Sequence, residues 1–363
     1  MKAITTKGKQ KAMITDTRQQ DRPIAIWLLI CCAMIMIMAV IGAITRLTES
    51  GLSIMVWEPF KGIIPPMNKD DWLRLFDIYK QIPEYQQENI GMSLEEFKNI
   101  FWWEFIHRLW GRIIGIVFLI PFLWFLIKGR VRKPLLPHLF LMFVLGGLQG
   151  GLGWYMVASG FADRTDVSQY RLTAHLLMAF AIYGYLFWIA LKLLLPMPSR
   201  NSAFTSVKLH LPLILIPLLI TVTIASGGLV AGLNAGMIYN SFPLMDGQII
   251  PSSYSDIQPW YVNVFENVAA VQFNHRVLAL STFTLTLAIW IWSLFLNRPN
   301  ALTRALHLLL LAAILQVTLG ISTLLLVVPV HLGALHQAGG LVYLTASLYA
   351  FYLVRRDKNL SLY

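Results

Sequence analysis

The chain has 363 residues, 57% of them hydrophobic and only 13% charged, with a formal net charge of +11. Soluble domains carry about 25% charged residues, so this composition excludes an ordinary soluble enzyme. The spacing of the apolar residues indicates instead an all-α integral membrane protein.

The apolar residues form eight blocks, each close to the roughly 20 residues that a helix needs to cross a bilayer. The first block is too long, and begins too far behind a polar segment, to be a cleaved secretion signal. We therefore expect eight transmembrane helices. They lie at about residues 24–44, 105–127, 135–156, 172–195, 211–231, 270–296, 305–328 and 332–354.

Lys and Arg fall on one side of this topology. They occupy both terminal segments and the connections after the second, fourth and sixth blocks, whereas the loop at about 232–268 has neither residue. The positive-inside rule then places both termini in the cytoplasm and the two long loops, at about 45–103 and 232–268, outside. The net charge of +11 follows from this topology and requires no nucleic-acid partner; the partner it indicates is the lipid bilayer.

Three motifs recur at an offset of about 160 to 170 residues. They are EFIHR at 104–108 with QFNHR at 272–276, LQGGLG at 148–153 with LQVTLG at 315–320, and the segments around His175 and His336. Both copies enter the membrane in the same direction, which predicts a parallel repeat of two pseudo-symmetric four-helix bundles.

This repeat divides the chain into domains. We expect a cytoplasmic tail at 1–23, an N-terminal bundle at 24–195 and a C-terminal bundle at 209–354. A cytoplasmic linker at 196–208 joins the bundles, and a second cytoplasmic tail covers 355–363.

Four histidines occupy repeat-equivalent positions. His107, His175, His275 and His336 lie in the even-numbered predicted helices, within the first turns after the chain re-enters from outside. A single histidine near the membrane surface often only extends its side chain to water. Ionisable groups inside spans are nevertheless costly and usually functional. Histidines that face each other inside a helix bundle can bind a cofactor. Imidazole pairs without a carboxylate cluster or cysteines suit haem iron better than zinc. The sequence therefore predicts two bis-histidine haem sites, one in each half.

Two arginines directly follow two of these histidines. Arg108 and Arg276 either bind haem propionates through charge-assisted hydrogen bonds or anchor their helices at the interface, and the sequence leaves both roles open. The remaining histidines are expected to be structural, apart from the ambiguous residue at the start of the last helix. They are His138, His210, His307 and the ambiguous His331.

The two halves differ at one position that bears on chemistry. Three residues before its histidine, the first half has Glu104 and the second has Gln272. Glu104 shares a helix face with His107 and Arg108, so it either holds Arg108 in an ion pair or serves as an acid–base group in one pocket only. The outer loop that leads toward this helix, at 45–67, is too long for a simple connection and is expected to cover another part of the protein.

Local signals add two further expectations. Ser93 and Glu96 form a capping-box signature, so the second spanning helix should start near Leu94, outside the membrane. The adjacent Cys31 and Cys32 are expected to be core- or lipid-facing residues, because neighbouring cysteines rarely form an unstrained disulfide.

With these motifs the chain resembles the haem A synthases, which oxidise the C8 methyl group of haem O to the formyl group of haem A for assembly of terminal oxidases. The resemblance covers essentially the whole chain and rests on TRLTESGLS at 45–53, EFIHR with GR at 104–112, and the two histidine pairs. Some members carry a cysteine pair in the first outer loop, and this chain has none there, which places it in the subgroup without that pair.

The resemblance implies roles for individual residues. His107 and His175 match the pair that holds the substrate haem, His275 and His336 match the pair that ligates a permanent haem b, and Glu104 matches the acidic residue of the reacting pocket. Arg108 and Arg276 would then bind the substrate haem and haem b, respectively.

The resemblance also implies partners and a location. Haem O is the substrate, haem O synthase and an electron acceptor are further partners, and a homo-oligomer is compatible with the sequence. The location is the bacterial inner membrane, with the haem sites toward its outer side.

Two other classes of protein compete with this interpretation. A di-haem b-type cytochrome would pass electrons to or from quinone, but it should hold its haems at opposite leaflets, whereas all four histidines here lie toward the outer side. A transporter should have spans broken near the midplane, and the only hint of that is Gly227, Gly228 and Gly232.

Overall fold

The structure is a computed structural model. It describes the backbone of residues 2–56, 61–161, 165–195 and 206–361, and the side chains of 21–56, 62–161, 165–195 and 208–355. Most of the predicted linker and both predicted tails lie outside the described side chains, as do residues 57–61 of the outer loop.

The described chain is helical. Its α-helices are α1 (Lys2–Leu47), α2 (Lys69–Tyr79), α3 (Pro83–Gln87), α4 (Leu94–Ile127), α5 (Leu136–Val157), α6 (Gln169–Leu194), α7 (His210–Gly232), α8 (Trp260–Glu266), α9 (Val268–Leu294), α10 (Asn300–Leu325) and α11 (Val330–Ser361). In the described part of the chain, eight of them are long and apolar enough to cross a membrane, which confirms the predicted spans: α1, α4, α5, α6, α7, α9, α10 and α11. Helices suit that role because they satisfy their own backbone hydrogen bonds where lipid offers no partners.

The start of α4 agrees with its capping signal. Ser93 is the N-cap, its Oγ accepts from the Glu96 amide, and the Glu96 carboxylate accepts from the Ser93 amide at 2.7 Å. The helix therefore begins at Leu94, well before the apolar block at 105, and its first turns stand outside the predicted span.

The spanning helices have the same neighbours in each half of the chain. In the first half α1 contacts α4 and α6, and α5 also contacts both α4 and α6. In the second half α7 contacts α9 and α11, and α10 also contacts both α9 and α11. This order is what two four-helix bundles require, while their relation by an axis along the membrane normal stays a prediction.

The two sets of helices meet closely where α6 crosses α7. A Cβ on Gly232 would lie 2.6 Å from the Cα of Gln169, and one on Gly228 would lie 2.7 Å from Oγ1 of Thr173. Glycine at both positions lets the two helix backbones approach each other. At the C-terminal end of α1, Arg46 adds a link because its Nη2 donates to Asp166 in the first half and to the Ala231 carbonyl in the second.

A cluster of aromatic side chains covers the end of the first half where α1 finishes and α4 begins. Phe76 and Tyr79 of α2 pack on Phe97 of α4, with ring centroids 5.1 and 5.2 Å away, and Leu52 from the outer loop is buried in the same cluster. The loop that follows α1 is thereby held against α4.

The cysteines lie where the sequence indicated. Cys31 and Cys32 are free and buried in the apolar core.

Candidate functional site

The four repeat-equivalent histidines lie in the two sets of spanning helices, two in each half. His275 of α9 and His336 of α11 have ring centroids 6.4 Å apart and nearly perpendicular planes. His107 of α4 and His175 of α6 lie on two helices that both contact α1 and α5. The structure therefore brings the rings of the second pair together and places the first pair within one set of helices.

Every one of these imidazoles rests against a glycine on a neighbouring helix. A Cβ added to the glycine would lie only 2.8 to 3.1 Å from the Cε1 atom of the ring, so no larger residue fits without displacing it. The contacts are Gly42 with His107, Gly153 with His175, Gly227 with His275, and Gly320 with His336. These glycines allow each imidazole to pack closely against the neighbouring helix.

Nδ1 of each histidine has a side-chain partner, and Nε2 of His175 also lies 3.3 Å from Nε2 of Gln149. For the first histidine of each half the partner is a hydroxyl, with Thr45 Oγ1 3.4 Å from His107 Nδ1 and Ser226 Oγ 2.8 Å from His275 Nδ1. For the second histidine it is an amide, since Gln149 and Gln316 each place Nε2 3.2 Å from Nδ1, of His175 and His336 respectively. These contacts hold the Nδ1 side of each ring, so a metal would have to bind through Nε2.

These glycines and hydrogen-bonding partners are not among the site residues predicted from the sequence. A signal existed for four of them, because Gln149 and Gly153 occupy the same places in LQGGLG as Gln316 and Gly320 in LQVTLG. Thr45 and Ser226 carry no comparable signal, since their relevance depends on how neighbouring helices are aligned.

Glu104 is buried and holds the outer loop. Its Oε1 forms an ion pair with Arg108 Nη2 at 2.5 Å, and its Oε2 accepts 2.7 Å bonds from Ser53 Oγ and from the Ile54 amide. Arg108 also donates to the Ile54 carbonyl at 2.6 Å. The intrahelical ion pair with Arg108, one of the two roles that the sequence left open for Glu104, is therefore present. The Glu104 carboxylate also binds the loop that follows α1.

In the second half Gln272 and Arg276 also hold a loop, but here the side chain of Gln272 donates hydrogen bonds to the loop, whereas Glu104 accepts them. Gln272 Nε2 donates to the carbonyls of Ala235 and Ile238, and its Oε1 accepts from Arg276. Arg276 in turn donates to the carbonyl of Tyr239 at 2.5 Å. The acid in the first half meets loop donors, whereas the amide in the second half meets loop acceptors.

The other histidines lie apart from these pairs. His138 contacts the Tyr185 hydroxyl at 2.6 Å, and His307 packs near Trp290 with ring centroids 6.0 Å apart. His210 packs near Phe351, and His331 is exposed near the start of α11.

Comparison with known proteins places this architecture in a family. A model of the cytochrome oxidase assembly proteins, COX15-CtaA, matches residues 25–348. A heme A synthase from Nitrosospira multiformis is 51% identical over 93% of this chain and 95% of its own length. Those from Nitrosomonas eutropha and Paramagnetospirillum magneticum are 50% and 49% identical, over 96% and 91% of this chain and 98% and 93% of their own lengths. The chain is therefore a multi-pass membrane protein that belongs to the haem A synthase family of cytochrome oxidase assembly proteins.

Proposed function

We propose that this chain is an oxidoreductase that converts the C8 methyl group of haem O to the formyl group of haem A for assembly of terminal oxidases. The observation that carries this proposal is an asymmetry between two otherwise matched pockets. Each half has two repeat-equivalent histidines, of which His275 and His336 face each other, but only the first half has a carboxylate on the same helix face, Glu104. The relatives that match this chain over nearly their whole lengths are named heme A synthase.

The residues fit two bis-histidine haem groups. The 6.4 Å between the ring centroids of His275 and His336 leaves room for one ion bonded to both rings, since metal–imidazole bonds are about 2 Å long. The glycine beside Cε1 of each ring gives the imidazole room next to the neighbouring helix. The first-half pair, His107 and His175, has the same glycine support.

We assign the substrate to the first half and the permanent cofactor to the second. His107 and His175 would hold haem O, and His275 and His336 would hold haem b. Haem b, when bound, supplies a route by which electrons leave the substrate. Gln272 supports this division because an amide offers no titratable group, and a pocket that only relays electrons needs none.

Glu104 is the residue that we place beside the reacting methyl group. Oxidation to a formyl group exchanges two methyl hydrogens for one oxygen, so positive charge and protons must be accommodated near that carbon. Both carboxylate oxygens already accept hydrogen bonds, from Arg108 on one side and Ser53 and Ile54 on the other. This arrangement favours Glu104 as a fixed negative charge that stabilises positive charge on the carbon, rather than as the first proton acceptor.

The two arginines shape the outer edge of the pockets. Arg108 and Arg276 bind loop carbonyls, and the Nε of Arg276 is buried without a partner. A haem propionate reaching this atom would complete its hydrogen bonding, so Arg276 combines loop anchoring with propionate binding. For Arg108 we propose the same two roles.

The proposed setting follows from the topology. The termini lie in the cytoplasm of a bacterium and the haem pockets toward the outer side of its inner membrane, because the basic residues fall on the other side. Haem O synthase would deliver the substrate, and an external acceptor would receive the electrons. Assembly as a homo-oligomer stays a prediction.

Substitution of Glu104 tests the function. We expect Glu104→Gln to retain haem b but to form no haem A, because the negative charge beside the substrate is lost while both histidine pairs remain. The measurement is chromatographic identification of the pigments extracted from purified protein. In the same assay His275→Ala should remove haem b, and His107→Ala should mainly reduce substrate haem.

Ser53→Ala is the matched control. It removes one hydrogen bond from the same carboxylate but keeps its charge, so it should retain most of the haem A formation. Equal loss in both variants would indicate that Glu104 only holds the loop. Two molecules of haem b in the wild type, without haem O or haem A, would instead indicate the di-haem cytochrome.

A further inference from the structure

Arg46 lies in the last turn of α1, at the junction between the two sets of spanning helices. Its Nη2 donates to a carboxylate oxygen of Asp166 at 2.7 Å, and to the carbonyl of Ala231 and the side-chain oxygen of Asn234, each at 2.9 Å. These acceptors belong to both halves of the chain. Together they hold the guanidinium group in one place.

The same residue stands beside the first histidine of the first half. Gly42, which contacts the His107 ring, lies four residues before Arg46 on the same face of α1. Thr45, the residue before Arg46, places its Oγ1 3.4 Å from His107 Nδ1. Four residues span about 6 Å along a helix. Arg46 therefore belongs to the turn of α1 that follows the turn in contact with His107.

The Nε atom of Arg46 has no hydrogen-bond partner among the described residues. It is buried, and only 12% of the side chain is exposed. Both oxygens of Asp166 are engaged otherwise, because Oδ1 accepts from the Val167 amide and Oδ2 accepts from Nη2. A buried donor of a charged group that stays unpaired is unfavourable, and most buried polar atoms are paired. A ligand oxygen that reached Nε would therefore be bound favourably.

A carboxylate is the ligand group that suits this atom. The planar guanidinium group has five N–H donors, so it can bind a second carboxylate while Nη2 keeps the first. Haem carries two propionates on the edge of its ring. In the second half Arg276, directly after His275, also has a buried Nε without a partner, whereas its counterpart Arg108 has none among the described atoms. In the first half this unpaired donor belongs to Arg46.

We propose that Arg46 binds the substrate haem and that its Nε donates a charge-assisted hydrogen bond to one propionate of the haem held by His107 and His175. This rests on the proposed function, because it requires the first pair to hold haem O. Two axial ligands alone leave a porphyrin free to rotate about the axis through its iron. A propionate bound by Arg46 fixes that rotation, and with it the ring carbon that Glu104 faces.

Haem O and its dimethyl ester, whose propionates carry no charge, test the proposal in the full-length protein purified with haem b. Optical titration measures the affinity for each. The wild type should bind haem O more tightly than the ester. Arg46→Gln should reduce this preference by roughly 10- to 100-fold, the usual effect of losing a hydrogen bond to a charged group, and should change the affinity for the ester little.

Two variants at Asp166 separate a direct bond from a general effect of charge. Asp166→Asn leaves the guanidinium group with one anion fewer, so the preference for haem O should increase. Arg46→Gln combined with Asp166→Asn keeps the net charge of the wild type, and the preference should stay as low as in Arg46→Gln. A preference restored to the wild-type value in the double variant overturns the proposal. If Arg46→Gln does not retain haem b, an unchanged preference in Asp166→Asn overturns it.

Arg74→Gln is the matched control. Arg74 is an exposed arginine of α2, so its substitution removes the same charge away from α1 and should leave the preference for haem O as in the wild type. Equal preferences in Arg46→Gln and Arg74→Gln, or a wild type that binds haem O and its ester equally well, contradict the role of Arg46.

Failure of the proposed function has a different signature. It appears with Arg46 unchanged, as a wild-type protein that binds neither haem O nor its ester, or as a His107→Ala variant that binds haem O as tightly as the wild type.

Discussion

Glu84 is a buried carboxyl group in the outer helix α3, away from the predicted spans. Its side chain is hydrogen-bonded to Tyr79, whose hydroxyl accepts a 2.8 Å bond from Asn89, while Oε2 of Glu84 has no partner. Burial raises the pKa of Glu84 from 4.5 to about 8, and the negative charges of Glu104, Asp166 and Glu49 act in the same direction. Glu84 is therefore mostly protonated at neutral pH.

This shift predicts a pH-dependent stability. Between pH 4.5 and about 8 the folded protein keeps a proton on Glu84 that the unfolded chain loses, so stability from this group declines as pH rises through that window. Glu84→Gln removes the effect because an amide does not ionise. The melting temperature of the variant, relative to wild type, should therefore increase from about pH 5 to about pH 9.

Glu88→Gln is the control for this prediction. Glu88 lies one turn further along and is exposed, so its substitution should change the melting temperature by the same small amount throughout. A parallel pH profile for Glu84→Gln and wild type would show that the Glu84 carboxyl is not buried as described.

At the same scale, the sequence indicated the candidate site residues more clearly than the residues that surround them. The paired histidines and the Glu104–Gln272 difference were visible because they recur at a constant offset. The Glu104–Arg108 ion pair was visible because residues four apart share a helix face. The contact of Gly42 with His107 depends on how α1 is aligned with α4, and no local pattern encodes that alignment.

At the scale of the helices, apolar length was a sufficient guide to the spans. Each of the eight predicted blocks lies within or largely overlaps a helix, because only a helix of that length crosses lipid with its backbone satisfied. The outer helices α2, α3 and α8 were not predicted, since they are short and partly polar. The length of α4 beyond its apolar block was predicted because the capping box marks its first residue.

The glycine contacts give a prediction about α5. Gly153→Ala should weaken haem O binding, because its Cβ would lie 3.0 Å from Cε1 of His175 and must displace the ring. Overpacking of this kind costs about 1–3 kcal/mol, which corresponds to roughly 10- to 100-fold in affinity. Optical titration of the purified protein with haem O measures it.

Gly150→Ala provides the comparison on the same helix. A Cβ at Gly150 meets nothing within 4 Å, so haem O should bind as in wild type. If both variants bind haem O equally well, His175 does not depend on the glycine behind it.

At the scale of the whole molecule, the two halves depend on a close helix crossing. Gly232→Ala would place a Cβ 2.6 Å from the Cα of Gln169, and a backbone atom cannot move aside as a flexible side chain can. We expect the α6–α7 crossing to open at a cost of about 1–3 kcal/mol. The melting temperature of the purified protein should fall.

Gly146→Ala serves as its control. Gly146 also lies within a spanning helix, but its Cβ would meet nothing within 4 Å, and alanine favours helix more than glycine does. Its melting temperature should stay the same or rise. A Gly232→Ala protein as stable as Gly146→Ala would mean that α6 and α7 cross less closely than described.

The opposite polarity of the two outer loops limits what redesign can achieve. Glu104 fits its loop because Ser53 and Ile54 point O–H and N–H groups toward it, whereas Gln272 faces the carbonyls of Ala235 and Ile238. Glutamate installed at 272 would set its anionic oxygens against those carbonyls and repel them. A carboxylate in the second half would therefore need the loop that binds Glu104 in the first half as well, and a single substitution of Gln272 would not be enough.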